Sequence, residues 1–251
     1  MSTNTVEVVT HCWAGKLDQY AWHLQLQLSS VFWFAPMEAV SVTVCHASDD
    51  PLTCAVLEFF AGKFNSEHGG RLRTICLPHG QLFRRAIGRN MAALATTADL
   101  VWFADVDYFW KPGAFEFLQT LPHDVWSDMM MPLHVWRQLT WEHGDVLVRE
   151  LRKGGVGLVQ VPPDAEFATH RERIPIGGMQ IVSGDYCREH GYLNGTKWIK
   201  PLSPAPDSFT SFRDDIAFRK SVHARRDGTR HEIRIAIPSV YRVRHSENGY
   251  G

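Results

Sequence analysis

The chain has 251 residues, 45% of them hydrophobic and 21% charged, with a formal net charge of −1. That is enough apolar material for one large domain with a full core, and the near-neutral balance excludes the long basic footprint of a duplex nucleic-acid binder. No stretch approaches the roughly 18 consecutive apolar residues of a membrane span, and Met1 to Thr5 lacks the basic start and apolar stretch of a signal peptide. Cys12, Cys45, Cys54, Cys76 and Cys187 form no CxxC pair. They read as free thiols, mostly small buried hydrophobes, in a reducing compartment, so a soluble cytoplasmic protein without a membrane span is expected.

Val6–Thr10 reads as a first strand and His11–Gly15 as the loop at its carboxyl end. Leu17–Phe32, with Leu17, Tyr20, Leu24, Leu28 and Val31 on one face, predicts a helix. Val40–Cys45 is a second, β-branched strand. Pro51 then starts a helix with Asp50 as its cap. Arg71–Leu77 is a third strand, Gln81–Thr96 a third helix and Leu100–Ala104 a fourth strand. Strand–helix units in this alternation predict a doubly wound α/β domain.

Beyond Pro112 the pattern weakens. Residues 113–121 predict a short helix, Asp124–Met131 an irregular strand and 134–172 a mixed, partly mobile insertion rich in Trp, Gly and Pro. Ile174–Val182 returns to strand character, with Gly177 and Gly178 allowing close backbone approach. Residues 194–211 read as a loop. Phe212–Lys220 opens a helix with acids in its first turn, and His231–His245 reads as a strand or hairpin with Ile233, Ile235 and Ile237 on one face.

The centre of this layout is Asp105-Val106-Asp107, directly after the apolar run Leu100–Ala104. Such a run is a fully buried strand of a parallel sheet, and ligands collect at the carboxyl ends of those strands. Two carboxylates there suit a hard divalent cation that also takes phosphate oxygens. The same tripeptide also occurs in surface turns and calcium loops. The buried strand before it and Lys111-Pro112 behind favour a metal-bridged nucleotide site.

Phe83-Arg-Arg-Ala-Ile-Gly-Arg-Asn90, the strand into Asp105-Val-Asp107, Gly177-Gly178, Asp214-Asp215 and Arg244-His245-Ser246 occur in an order that resembles nucleotide-sugar glycosyltransferases of the GT-A fold. The likeness is to the family 2 type and the β-1,4-galactosyltransferases, over residues 6–110 and 174–248. It implies one GT-A catalytic domain over 1–251: a mostly parallel sheet flanked by helices, with an irregular acceptor-side lobe. Residues 1–110 would be the nucleotide-binding half and 111–251 the acceptor half, with 113–172 as an insertion. The implied activity moves a sugar from a nucleotide-diphosphate donor, a UDP-sugar, to a saccharide or other hydroxyl acceptor, with inversion.

The resemblance also implies roles. Asp107 would ligate Mn²⁺ or Mg²⁺ directly, Asp105 would serve the ribose or the metal's water, and His245 would be a further ligand that favours Mn²⁺. This family has a methionine ligand three residues before that histidine; Arg242 stands there instead. Arg85 would reach the uracil or phosphate, with Arg89 four residues on and on the same helical face. Apart from the resemblance, strand-end position alone would place Asp49 to accept from the uracil N3–H, and Thr10 and His11 to line the base and ribose pocket. Gly177 and Gly178 would let backbone approach a sugar, and some of the nine tryptophans would line the cleft. Asp215 would be the base that takes the acceptor proton, with Asp214 holding an acceptor hydroxyl. The family's Trp-Gly-Gly lead-in is replaced here by Thr210-Ser-Phe-Arg213.

Blander explanations stand beside these. Acids in a first helical turn also complement the helix dipole, paired arginines also make a solvated helix face, and a lone histidine is most often a surface residue. A nucleotide- or carbohydrate-binding module could use the same metal site without turnover. A phosphohydrolase would want a second acidic cluster, which is missing.

Overall fold

In a computed structural model of the chain, the described residues are 3–15, 18–36, 38–67, 71–123, 126, 129–173, 177–196, 213–224 and 232–245. The front half follows the expected alternation. β1 (Val6–His11) is buried at every position and continues through His11. It is followed by α1 (Gln19–Phe34), β2 (Val40–His46), α2 (Pro51–Glu67) and β3 (Leu72–Cys76). Asp50 caps α2, accepting from the Thr53 N–H at 3.2 Å and the Thr53 hydroxyl at 2.6 Å. The predicted third helix is divided into α3 (His79–Leu82) and α4 (Arg85–Ala95). β4 (Leu100–Phe103) is fully buried.

β5 (Tyr108–Trp110) follows the acidic turn, and α5 (Ala114–Gln119) is the expected short helix. Next come β6 (Met129–Pro132), β7 (His134–Gln138), α6 (Trp141–Gly154), β8 (Phe167–Arg171), β9 (Gln180–Ser183), α7 (Gly184–His190), α8 (Asp214–Ala224), β10 (Glu232–Ile235) and β11 (Val240–Arg242). The main sheet has the order β10-β6-β9-β4-β1-β2-β3, and only β9 runs antiparallel to its neighbours. A second sheet has the order β5-β11-β7-β8. Residues 113–172 are therefore no insertion. β6 is an interior strand of the main sheet, and β7, α6 and β8 form much of the second layer. The segment 231–245 is no hairpin either, because β10 joins the main sheet and β11 the second. Gly177–Met179 is a 3₁₀ turn in front of β9 rather than strand. Residues 174–176 and 197–212, including the Thr210-Ser-Phe lead-in, lie outside the described residues.

α1 explains how the layers join. Every residue from Ala21 to Val31 is buried, so this stretch of the helix has no solvent face and must be packed on all sides. Its polar residues then need partners inside the protein, and Gln25, Ser29 and Ser30 find them in segments far along the chain. Gln25 donates to the Gly155 carbonyl at 3.1 Å and accepts from the Gly157 N–H at 3.2 Å. Ser29 accepts from Val159 N–H at 3.1 Å and Ser30 from Trp110 N–H at 3.2 Å. The five cysteines are free thiols. Among the described residues no helix is long and apolar enough to cross a membrane.

His23 differs from its neighbours on α1: both ring nitrogens are buried without a hydrogen-bond partner among the described residues. Burial, aided by the charge of His245, pulls its pKa down from 6.5 to about 3. A histidine that stays neutral when folded but takes a proton when unfolded weakens folding at acid pH. The loss begins as pH falls below the unfolded value and continues to the folded one, at about 1.4 kcal/mol per pH unit. Urea titrations between pH 7 and pH 4 should therefore show falling stability, and His23→Leu should reduce that slope by about one proton's worth.

Candidate active site

The chain passes from one sheet to the other through the acids. β4 ends at Phe103, Asp105-Val106-Asp107 makes the turn, and β5 begins at Tyr108 in the second sheet. The Tyr108 N–H closes the turn on the Asp105 carbonyl at 3.2 Å. Gln27 of α1 clamps it, donating to the Asp105 carbonyl at 3.0 Å and the Tyr108 carbonyl at 2.9 Å. Beyond β11, the Val243 N–H donates to the Asp107 carbonyl at 2.9 Å.

Each acid has cationic partners. Asp105 pairs with Arg89 at 3.1 Å and Arg85 at 3.3 Å. Burial alone would raise its pKa, but Arg85, Arg89 and Arg242 together hold it below the ordinary carboxylate value. Asp107 accepts from Arg242 Nε at 2.8 Å, and His245 Nε2 is 3.9 Å from the same oxygen. The other Asp107 oxygen is buried without a partner among the described residues. His245 packs between Tyr20 and His23, with ring centroids at 5.7 and 5.4 Å.

The acids face a cleft of about 920 Å³. From the main-sheet side it is lined by His11, Trp13, Tyr20, Arg85, Asp105, Val106 and Asp107, and from the second sheet by Arg137, Trp141, His170, Arg242, Arg244 and His245, among others. His11 is buried with neither ring nitrogen hydrogen-bonded among the described residues. Burial, then Arg89 and Arg85, lower its pKa well below 6.5, so at neutral pH it can offer both a donor and an acceptor. α4 comes this close because residue 88 is glycine: a Cβ there would lie 2.4 Å from His11 Nε2.

Six of the expected site residues thus line one cleft: His11, Arg85, Asp105, Val106, Asp107 and His245. Others stand behind it. The Thr10 hydroxyl is buried without a partner among the described residues. Arg89 is buried, bonds the Tyr192 hydroxyl at 3.1 Å and supports Asp105 from below. Asp215 accepts the Gly177 N–H at 3.0 Å. Asp214 accepts the Ala86 N–H at 3.3 Å near the start of α4 and lies 3.8 Å from Arg84. Burial raises its pKa, with Arg84 opposing. Asp49 is elsewhere, exposed and paired with His79 at 2.9 Å. Ser246 lies outside the described residues.

Gln27 and the second-sheet wall of Arg137, Trp141, His170 and Arg244 join the site from outside the expected residues. A glutamine amid buried helix positions was the available sign of the clamp. The second-sheet residues carry no period that joins them to the acids.

No family model matches the chain, and no curated protein sequence does. Solved structures do. A mannosyltransferase, PcManGT from Pyrobaculum calidifontis with GDP-Man and Mn²⁺, superposes with a TM-score of 0.57 at 14% identity, over 99% of this chain and 59% of that one. S. aureus TarS 1-349 with UDP gives 0.55 at 13% identity, over 95% of this chain and 60% of TarS. Its complex with UDP-GlcNAc gives 0.55 at 13%, over 96% and 59%. The fold is the GT-A fold of glycosyltransferases, in a chain spanning about three-fifths of these neighbours' length.

Gly177 and Gly178 press against the acidic turn. A Cβ on Gly178 would lie 2.4 Å from the Asp105 backbone nitrogen and 2.7 Å from the Tyr108 ring. Gly177, at φ +52°, would place one 2.6 Å from an Asp105 carboxylate oxygen. Trp102 Nε1 fixes the turn by donating to the Gly178 carbonyl at 2.9 Å. Gly178→Ala should cost about 1–3 kcal/mol by overpacking, measured as a lowered urea midpoint, whereas Gly154→Ala, in helix α6 with nothing within 4 Å, should cost less.

Proposed function

We propose that the protein is a glycosyltransferase that takes a nucleotide-diphosphate sugar, a UDP-sugar, in this cleft and transfers the sugar to a hydroxyl of a saccharide or similar acceptor. The observation that carries the proposal is the pair Asp105 and Asp107 at the end of a buried strand, in a large cleft shared by two sheets, on a fold also found in structures with bound UDP and GDP-Man. The finer likeness to family 2 and the β-1,4-galactosyltransferases rests on the order of the sequence motifs alone.

The chemistry asks for positive charge where the diphosphate leaves. Mn²⁺ or Mg²⁺ suits the available donors. The Asp107 oxygen without a partner among the described residues and the adjacent His245 would supply one oxygen and one nitrogen, and phosphate oxygens and water would complete the set. Asp105 lies against Arg85 and Arg89, which fits a role toward the ribose rather than the metal. Neutral His11, Trp13 and Arg85 are the wall proposed for the base and ribose. A bound cation supplies positive charge to the departing diphosphate; the protein orients the donor and excludes water.

Asp215 is proposed as the base that takes the acceptor proton in an inverting transfer, with Asp214 close by. Asp215 touches Gly177, whose α-carbon faces the Asp105 carboxylate. A binding module without turnover is the second reading. It is favoured by one observation: neither Asp214 nor Asp215 is among the cleft-lining residues.

Calorimetric titration with UDP and GDP, each with Mn²⁺, Mg²⁺ or chelator, tests the donor site. One nucleotide should bind, and Asp107→Ala should abolish the increment in affinity that the metal adds. Absence of binding under every condition would overturn the donor-site reading. For the base, Asp215→Asn keeps an oxygen for the Gly177 N–H and removes the proton acceptor. It should bind donor normally and lose transfer by about 100-fold or more. Transfer at the wild-type rate would remove Asp215 from that role.

A further inference from the structure

The geometry points to Arg242 as a resident counter-charge for the donor's diphosphate, so that the cleft binds a nucleoside diphosphate without a divalent cation. This rests on the donor-site reading above and deepens it. Arg242 extends from β11 opposite Tyr108 in the antiparallel register, which brings it beside the acidic turn. Its guanidinium lies over the Tyr108 ring at 5.3 Å, and its Nε donates to Asp107 at 2.8 Å. Those contacts fix the plane of the group. Among the described residues, neither terminal nitrogen has a hydrogen-bond partner, and the side chain is one-third exposed and lines the cleft. A guanidinium held by Nε with both ends free is arranged to donate to phosphate oxygens.

The rest of the cleft agrees with that assignment. Its charged lining is Arg85, Arg137, Arg242 and Arg244 against Asp105 and Asp107, with histidines besides. Both acids are already paired with arginines and Arg137 is paired with Glu172 at 2.6 Å, which leaves the arginines around the cleft one positive charge in excess before any metal arrives. Among the described residues no three His, Cys, Asp or Glu side chains converge as a metal-holding group. The protein's own donors to a cation are thus few, whereas its own donors to an anion are several. A cation bound at Asp107 and His245 would add affinity to a site that Arg242 has already made attractive to phosphate.

The test is calorimetry with UDP and GDP on the full chain, in chelator and in Mn²⁺, for wild type, Arg242→Gln and Arg242→Lys. Wild type should bind one nucleotide in chelator with a Kd within about tenfold of that in Mn²⁺. Arg242→Gln should weaken binding in chelator by about 10- to 100-fold, the worth of a charge-assisted hydrogen bond, and weaken it less in Mn²⁺. Arg242→Lys should recover part of the loss. If Arg242→Gln does not fold, the double variant Arg242→Gln/Asp107→Asn replaces the charged pair with two amides, and it should still weaken binding in chelator by about tenfold or more.

Wild-type binding in Mn²⁺ with none in chelator would overturn the inference and leave the donor site standing. Chelator binding unchanged by Arg242→Gln, or by the double variant, would overturn it equally. No binding in any condition would instead remove the donor site itself.

Discussion

A carboxylate at the end of a fully buried strand cannot stand alone, because charge removed from water must be met by opposite charge or hydrogen bonds. β4 delivers two of them, and the site is built around satisfying that demand. Arg85 and Arg89 from α4 meet Asp105; Arg242 and His245 from the C-terminal segment meet Asp107. Gln27 holds the backbone between them from α1. Three regions far apart in sequence are thereby brought to one turn, and the two sheets must pack closely enough for all of them to reach it.

The parts of this arrangement that were legible in the sequence are those that follow from local periodicity. The apolar run Leu100–Ala104 could only be a buried strand, and the β-branched segments before it were equally plain. Asp50 before Pro51 announced a capped helix, and the cap is present. The break between α3 and α4 was not visible, since Phe83 and Arg84 carry no Gly or Pro to mark it. Residues 134–172 hid β7, α6 and β8 because their tryptophans, glycines and prolines obscure both the helical and the strand period. β6 was expected as a strand, but its place was not legible: Met129–Met131 is apolar throughout, and only its neighbours show that it is interior to the main sheet.

For the site, strand-end position pointed to His11, Asp105 and Asp107, and the motif resemblance to Arg85, all of which line the cleft. Strand-end position did not suffice for Asp49, whose strand end opens onto the surface, where His79 takes the carboxylate. The acids that open α8 were legible as a pair, but not their division of labour. Asp214 serves the first turn of α4, while Asp215 secures the glycine turn under Asp105. The motif order led to the correct fold at an identity to solved structures of only 13–14%.

The chain's crossing from main sheet to second sheet through Asp105-Val106-Asp107 has a consequence for modularity. A fragment ending near residue 110 would carry both acids, Arg85 and Arg89, but would lack Arg242, His245, Val243 and the glycines that shape the turn. It would also leave β4 with an open edge, because β9, its antiparallel neighbour, comes from the later half. The division at residue 110 is therefore a convenience of reading order and not a seam in the molecule. The acidic motif is a joint between two layers, meaningful only when both are present, and it could not be moved to another scaffold as a cassette.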